Sequence, residues 1–210
     1  SKSNIKSWAE VLIGFALLFM GLDELKESVP NLKENTEFLA FLSSYANMGV
    51  LSTILFIGVG TILTLVVQSS SAAMALTLVM CYEGYIPFEL AAAMVLGENI
   101  GTTITANLAA LVGNVHAKRA ARAHFIFNIF GVIWMIFAFQ FFINSIDSYM
   151  ISNMDLSPVS SVGESVAVPI GLSIFHTTFN ILNVLFLVWF VPLISRIVIR
   201  MQPSKGEIDE

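Results

Sequence analysis

The sequence predicts an all-α integral membrane protein, because its composition, the length of its apolar segments and the placement of its charges agree. Of the 210 residues, 56% are hydrophobic and 12% are charged, and the mean hydropathy is +0.81. An ordinary soluble domain carries about 25% charged residues, so roughly half of the usual polar surface is missing. Since a chain in lipid must satisfy its own backbone polar groups, these apolar segments are predicted to be helices.

Composition also narrows the range of possible functions. The net charge of -5 gives no reason to expect nucleic acid as a partner. The single cysteine, Cys81, lies within an apolar run and indicates helix packing, not a disulfide framework. Nothing in the sequence indicates a cofactor or a cluster of metal-binding side chains.

Five membrane elements are predicted within a transmembrane region over residues 1–203, followed by a cytoplasmic tail over residues 204–210. A helix needs about 20 mostly apolar residues to cross a bilayer. The elements are a helix over 8–28, a re-entrant helical hairpin over 50–82, a broken helix over 89–112, a helix over 120–143 and a helix over 166–199.

The charges predict an orientation in the cell (inner or plasma) membrane. Basic residues concentrate in the 113–122 loop and after the last span, whereas the 144–165 loop carries acidic residues and no Lys or Arg. Cytoplasmic loops are enriched in Lys and Arg. We therefore expect the 113–122 loop and the C-terminus in the cytoplasm, and residues 23–47 and 144–165 on the outside. The basic residues are Lys118, Arg119, Arg122, Arg196, Arg200 and Lys205.

Polar residues interrupt two apolar segments at membrane depth, at Gln68–Ser71 and at Gly97–Thr103. The serines are good N-caps for a half-helix that starts near Ala72, and Thr102 with Thr103 could cap another half-helix. The N-terminus of a helix carries about half a positive charge and free N–H donors. Two such termini facing each other would bind an anion without Lys or Arg, while hydroxyl and amide oxygens suit Na⁺.

These two stretches resemble the signature of the sodium/phosphate cotransporter family, type II. The resemblance rests on Gln68-Ser69-Ser70-Ser71-Ala72 and Gly97-Glu98-Asn99-Ile100-Gly101-Thr102-Thr103, and it extends from about Trp8 to Ile199. It implies a secondary transporter of two inverted repeats that carries inorganic phosphate together with Na⁺ by alternating access.

The resemblance also implies the site residues. Those expected to bind phosphate are Gln68, Ser69, Ser70, Ser71, Asn99, Thr102 and Thr103. Of the residues expected to bind Na⁺, Gln68, Ser70, Asn99 and Thr102 follow from the resemblance, and Glu98 follows from its carboxylate at membrane depth.

Two departures from the family pattern shape these expectations. The Gln-Ser-Ser-Ser motif occurs once, so the chain resembles one inverted-repeat half, the second by its flanking helices. Either it is part of a longer protein or two copies assemble as a homodimer. Glu98 stands where the family generally has a small residue, and a carboxylate at membrane depth indicates function. It would bind a cation, carry a proton or stay neutral against Asn99, unless it faces water near the interface.

Two pairs of polar residues share one pattern, His-x-x-Phe-Asn. His124 and Asn128 are four residues apart, as are His176 and Asn180, so each pair lies on one helix face. Polar side chains often join membrane helices. We expect these pairs mainly to hold helices together, with direct contact to the permeant path as the alternative.

Three other functions are alternatives to phosphate symport. Transport of another small anion would use the same features. A half-transporter or assembly subunit would be inactive without its partner repeat. A membrane hydrolase would need a base beside a serine and a group to orient it, and no predicted span offers an aspartate for that purpose. We therefore expect no enzymatic activity.

Overall fold

The computed structural model describes residues 2–28, 44–45, 48–161 and 165–204, and within these ranges it contains helices and no strand. The predicted outer segment 23–47 and the predicted tail 204–210 lie largely outside the described residues. The helices are α1 (Lys2–Ser28), α2 (Val50–Val67), α3 (Ser70–Tyr82), α4 (Phe88–Ala110), α5 (Val115–Met154), α6 (Ala167–Leu187), a 3₁₀ turn (Val188–Phe190) and α7 (Val191–Met201).

Among the described residues, four helical segments are long and apolar enough to cross a membrane, which confirms the predicted fold class. They are Asn4–Gly21, Val50–Val67, Val115–Met154 and Ala167–Met201. Much of their apolar surface remains exposed, as at Phe137 and Trp189, which are 87% and 83% exposed. A helix that is apolar on all sides and exposed is suited to lipid.

Helix α4 is the central element. Its residues from Leu90 to Glu98 are all buried, and the helix packs against α2, α3, α5 and α6. The contact with α2 is close because glycines face the partner backbone: a Cβ at Gly60 would overlap Met94, and one at Gly97 would overlap Ile57. Small residues let membrane helices approach in this way.

Two predictions about helix continuity are corrected. The predicted broken helix over 89–112 is wrong, because α4 runs without interruption through Gly97–Thr103. Its polar side chains bond to carbonyls of their own helix and need no break. The second correction concerns α5, which begins at Val115 and ends at Met154, so the loops predicted over 113–122 and 144–165 are shorter than expected.

The structure has a helix break where the sequence predicts a polar interruption at Gln68–Ser71. Helix α2 ends at Val67 and α3 begins at Ser70, with only Gln68 and Ser69 between them. Whether both arms open to the same side of a bilayer stays a prediction.

Contacts between helices show which helix ends lie together at each end of the bundle. At one end Arg119 donates from Nε to the Gln202 carbonyl over 3.0 Å, and Arg122 donates from Nη1 to the Met201 carbonyl over 2.8 Å. The start of α5 and the end of α7 therefore lie together. At the other end Phe88 packs near Gly171, so α4 and α6 both begin there. The side of the membrane that each end faces stays a prediction.

Candidate functional site

The break between α2 and α3 shapes the candidate site. Gln68 has φ of 56°, a left-handed conformation that is uncommon for residues other than glycine. Ser69 is extended and is the N-cap of α3, because its hydroxyl accepts a hydrogen bond from the Ala72 N–H at 3.3 Å. The predicted capping by the serine motif is confirmed, and α3 begins at Ser70.

A cavity of about 260 Å³ lies beside this N-terminus. Its lining residues are Ser70, Ser71, Met74, Val95, Glu98, Asn99 and His176. They come from the start of α3, the middle of α4 and α6. The cavity brings together four predicted site residues and one predicted structural histidine, and it lies at half the length of α4.

Glu98 is the one carboxylic acid among the lining residues, and it is only 3% exposed. Thr77 donates from Oγ1 to Glu98 Oε1 over 2.6 Å. The other oxygen, Oε2, is buried and makes no hydrogen bond to any described residue. Because buried carboxylates are normally paired or bound to a cation, this oxygen is a favourable ligand for a positive ion.

The remaining predicted site residues lie around the cavity but do not line it. Gln68 and Ser69 are exposed at the break. Thr102 donates from its hydroxyl to the Glu98 carbonyl over 2.8 Å, and Thr103, fully buried, donates to the Ile100 carbonyl over 2.7 Å. The prediction that these threonines cap a second half-helix is therefore wrong, and one helix N-terminus faces the cavity instead of two.

Asn99 keeps an acceptor for a ligand. Its amide donates from Nδ2 to the Val95 carbonyl of the same helix at 3.2 Å, which leaves Oδ1 as the group able to bind a cation. The lining residues include no Lys or Arg. An anion in this cavity would therefore rely on the N-terminus of α3, on hydroxyl donors and on a co-bound cation.

The two His-Asn pairs behave differently from expectation. Asn128 and Asn180 each donate to the carbonyl of the paired histidine, at 3.0 Å and 2.8 Å, within their own helices. Asn183 is a residue that joins α5 to α6, because it accepts from Trp134 Nε1 at 3.2 Å and donates to the Phe127 carbonyl at 3.4 Å.

Sequence reasoning missed Thr77 and Asn183. Both could have been found from spacing, because Thr77 is seven residues after Ser70, and Asn183 is seven residues after His176. Residues seven apart lie on the same helix face.

The chain is similar to known proteins over much of its length. The family model described as Na+/Pi-cotransporter matches residues 37–156. The chain is 32% identical over 131 residues to the uncharacterized protein YqeW of Bacillus subtilis, a match covering 61% of this chain and 40% of that protein. It is 22% identical over 210 residues to the putative inorganic phosphate export protein YjbB of Salmonella typhimurium, covering 99% of this chain and 35% of that protein.

A human relative shares a shorter region. Sodium-dependent phosphate transport protein 2B of Homo sapiens is 40% identical over 106 residues, covering 47% of this chain and 14% of that protein. No solved structure matches the chain. The chain thus spans well under half the length of each of these relatives.

Proposed function

The chain belongs to the Na+/Pi-cotransporter family, and on that premise we propose that it supplies the binding site of a sodium-coupled transporter of inorganic phosphate. The observation that carries the proposal is the Oε2 oxygen of buried Glu98, which has no hydrogen-bond partner among the described residues and belongs to a residue that lines the cavity at the N-terminus of α3. A cation ligand and an anion-binding helix end meet there.

The charges of the site suggest an order of binding. Glu98 would repel phosphate while it is ionised and unpaired, because like charges in a partly dry cavity interact strongly. A sodium ion bound by Glu98, Ser70 and Asn99 would remove that repulsion. Phosphate would then bind to the N–H groups and hydroxyls at the start of α3. Coupling follows, because phosphate binds well only after Na⁺ has bound.

The other predicted ligands complete this scheme. Gln68 and Ser69 at the break, together with Thr102 and Thr103 one turn beyond Glu98, border the cavity without lining it. We propose that Gln68 and Thr102 contribute further oxygens to Na⁺, and that all four approach phosphate when the site closes.

A complete transport cycle requires a second half in addition to this chain. The chain spans 40% and 35% of the two bacterial relatives, so we propose that a second inverted repeat, or a second copy acting as a homodimer partner, completes the path. Alternating access would then arise from movement between the two halves within the lipid bilayer. The proposed role is transport and not catalysis.

Binding of labelled phosphate to the purified chain tests the proposal. Phosphate should bind in Na⁺ buffer and not in K⁺ buffer of the same ionic strength. Replacing both cavity serines with alanine, Ser70→Ala and Ser71→Ala, should weaken binding at least about tenfold, a change worth about 1.4 kcal/mol.

Ser173→Ala is the matched control for the serine variants. Ser173 is exposed on α6, donates to the Pro169 carbonyl of its own helix at 2.7 Å and does not line the cavity. The Ser173→Ala variant should bind phosphate as tightly as the unchanged chain. Equal binding in Na⁺ and K⁺ would refute sodium coupling, and binding of another oxyanion in place of phosphate would establish the alternative substrate. Failure of the folded chain to bind either would favour a half-transporter that needs its partner.

A further inference from the structure

The end of the bundle where α5 begins carries a concentration of basic residues. Lys118, Arg119 and Arg122 lie in the first two turns of α5, and Arg200 lies in the last turn of α7. Residues 99–110 of α4, residues 115–127 of α5 and all of α7 contain no Asp or Glu. This end therefore has a positive field that the helices around it do not cancel.

A groove of about 310 Å³ opens between α4 and α5 at this end. Its lining residues are Ile104, Asn107, Leu108, Ala110 and Leu111, then Lys118 and Arg122 of α5, and Gln202. Leu108 and Leu111 are 59% and 66% exposed. The groove thus has apolar walls, and two basic side chains stand among its lining residues.

The groove is fixed in shape by hydrogen bonds around it. Asn107 donates from Nδ2 to the Thr103 carbonyl at 2.8 Å and to the Ala121 carbonyl at 2.9 Å, which joins α4 to α5. Arg122 donates one N–H to the Met201 carbonyl and has four further N–H groups for a ligand. The Lys118 backbone N–H donates to the Asn114 carbonyl, whereas its side-chain ammonium makes no hydrogen bond or ion pair within the part of the chain that the structure describes.

Lys118 and Arg122 are four residues apart on α5 and share one helix face. Two cations at that spacing suit a phosphodiester, whereas the leucine and isoleucine side chains suit a hydrocarbon chain. A second groove of about 490 Å³, between α5 and α7, has one arginine, Arg119, which already donates to the Gln202 carbonyl. The smaller groove has two basic side chains among its lining residues and is therefore better suited to bind an amphipathic anion.

We propose that the groove between α4 and α5 binds an anionic phospholipid, with Lys118 and Arg122 on its phosphodiester and Ile104, Leu108 and Leu111 against an acyl chain. Basic pockets between membrane helices bind anionic headgroups in this way. Free phosphate would gain nothing from the apolar walls. This lipid site is separate from the cavity at Glu98 and does not depend on the transported ion.

Native mass spectrometry of the purified full chain with added phosphatidylglycerol or phosphatidylcholine tests the proposal. We expect phosphatidylglycerol to remain bound and phosphatidylcholine to dissociate. Lys118→Gln should weaken the binding of phosphatidylglycerol about fivefold, the usual effect of one basic residue near anionic lipid. A bulky substitution in the apolar wall, Leu108→Trp, should reduce retention of the lipid without changing the charge.

Arg200→Gln is the matched control, because Arg200 is an exposed basic residue at the same end that does not line the groove. It should retain phosphatidylglycerol as the unchanged chain does. Three results would overturn the proposal: equal retention of both lipids, equal losses in Lys118→Gln and Arg200→Gln, or displacement of phosphatidylglycerol by inorganic phosphate. The first two would indicate nonspecific adsorption, and the third a site for the free ion.

Discussion

Among single residues, Glu98 and Thr77 form the buried pair that the proposed site depends on. The 2.6 Å hydrogen bond from Thr77 occupies one carboxyl oxygen and leaves the other beside the cavity. Thr77 therefore acts as a positioning residue, because it fixes the orientation of Glu98 without lining the cavity itself.

Glu98→Gln keeps the size of the side chain and removes its charge. If Glu98 holds Na⁺, this variant should lose the sodium dependence of phosphate binding, and its affinity for Na⁺ should fall at least about tenfold. Isothermal titration calorimetry with Na⁺ measures that affinity. Glu89→Gln is the control, because Glu89 lies in the first turn of the same helix, away from the cavity. Unchanged sodium affinity in Glu98→Gln would rule out a role for Glu98 in binding.

Thr77→Val should lower the free energy of unfolding by about 1–3 kcal/mol, because it leaves a carboxyl oxygen unpaired in a buried position. Unfolding in mixed micelles with increasing sodium dodecyl sulfate measures the change. Thr105→Val, at a hydroxyl that donates to the Thr102 carbonyl of its own helix, is the control and should cost less. If Thr77 acts through Glu98, its effect should shrink in the Glu98→Gln background. Equal effects in both backgrounds would contradict that pairing.

Gln68 lies in the left-handed region, which a β-branched residue adopts at a cost of about 1–2 kcal/mol. Gln68→Gly should fold with unchanged or higher stability, whereas Gln68→Val should be less stable than Gln68→Gly by about that amount. Thermal unfolding followed by circular dichroism distinguishes them. Loss of phosphate binding in a stable Gln68→Gly protein would assign a role to the side chain. Equal stabilities of the two variants would contradict the backbone argument.

Among the helices, the close pair α2 and α4 forms the framework of the site. Gly60 and Gly97 face backbone atoms of the opposite helix, so no side chain separates the two. Thr61 also crosses this contact, since its hydroxyl donates to the Gly97 carbonyl at 3.0 Å.

Gly60→Ala should lower stability by about 1–3 kcal/mol, because an added methyl group would overlap the Met94 backbone. Gly58→Ala provides a control on the same helix, since a Cβ there meets nothing within 4 Å. That variant should be neutral or slightly more stable, because alanine favours a helix. Thermal unfolding in detergent compares them, and equal stability of the two variants would contradict the packing described for α2 and α4.

The helices also explain how far the sequence could predict this structure. The long apolar segments and the break at Gln68–Ser69 follow from length and turn chemistry, which are local properties. The polar residues of α4 led to the wrong prediction of a broken helix. Asn99 and Thr102 each bond to a carbonyl four residues earlier and leave the helix intact. The partners of Glu98 and Asn183 depend on contacts between helices, which one sequence does not display.

At the scale of the whole molecule, the two ends of the bundle differ in charge. Basic residues gather where α5 begins and α7 ends, whereas Glu89, Asp147 and Asp155 lie at or near the opposite ends of α4 and α5. This separation is the pattern expected for the predicted orientation, with the basic end in the cytoplasm.

Cysteine labelling in intact cells tests the orientation. The native Cys81 is 3% exposed and should not react. Val112→Cys, at a fully accessible position near the basic end, should be protected from a membrane-impermeant maleimide added outside. Ser160→Cys, exposed beyond the end of α5, should react. The reverse pattern would place the basic end outside.

The close contact between α2 and α4 also has a mechanical consequence. With backbone against backbone at Gly60 and Gly97, these helices cannot slide past each other without a clash, and so they would travel as one rigid body. The two-residue link at Gln68–Ser69 is then the hinge nearest the cavity. Any opening of the site would be expected as a tilt of α3 away from Glu98, which breaks the hydrogen bond from Thr77.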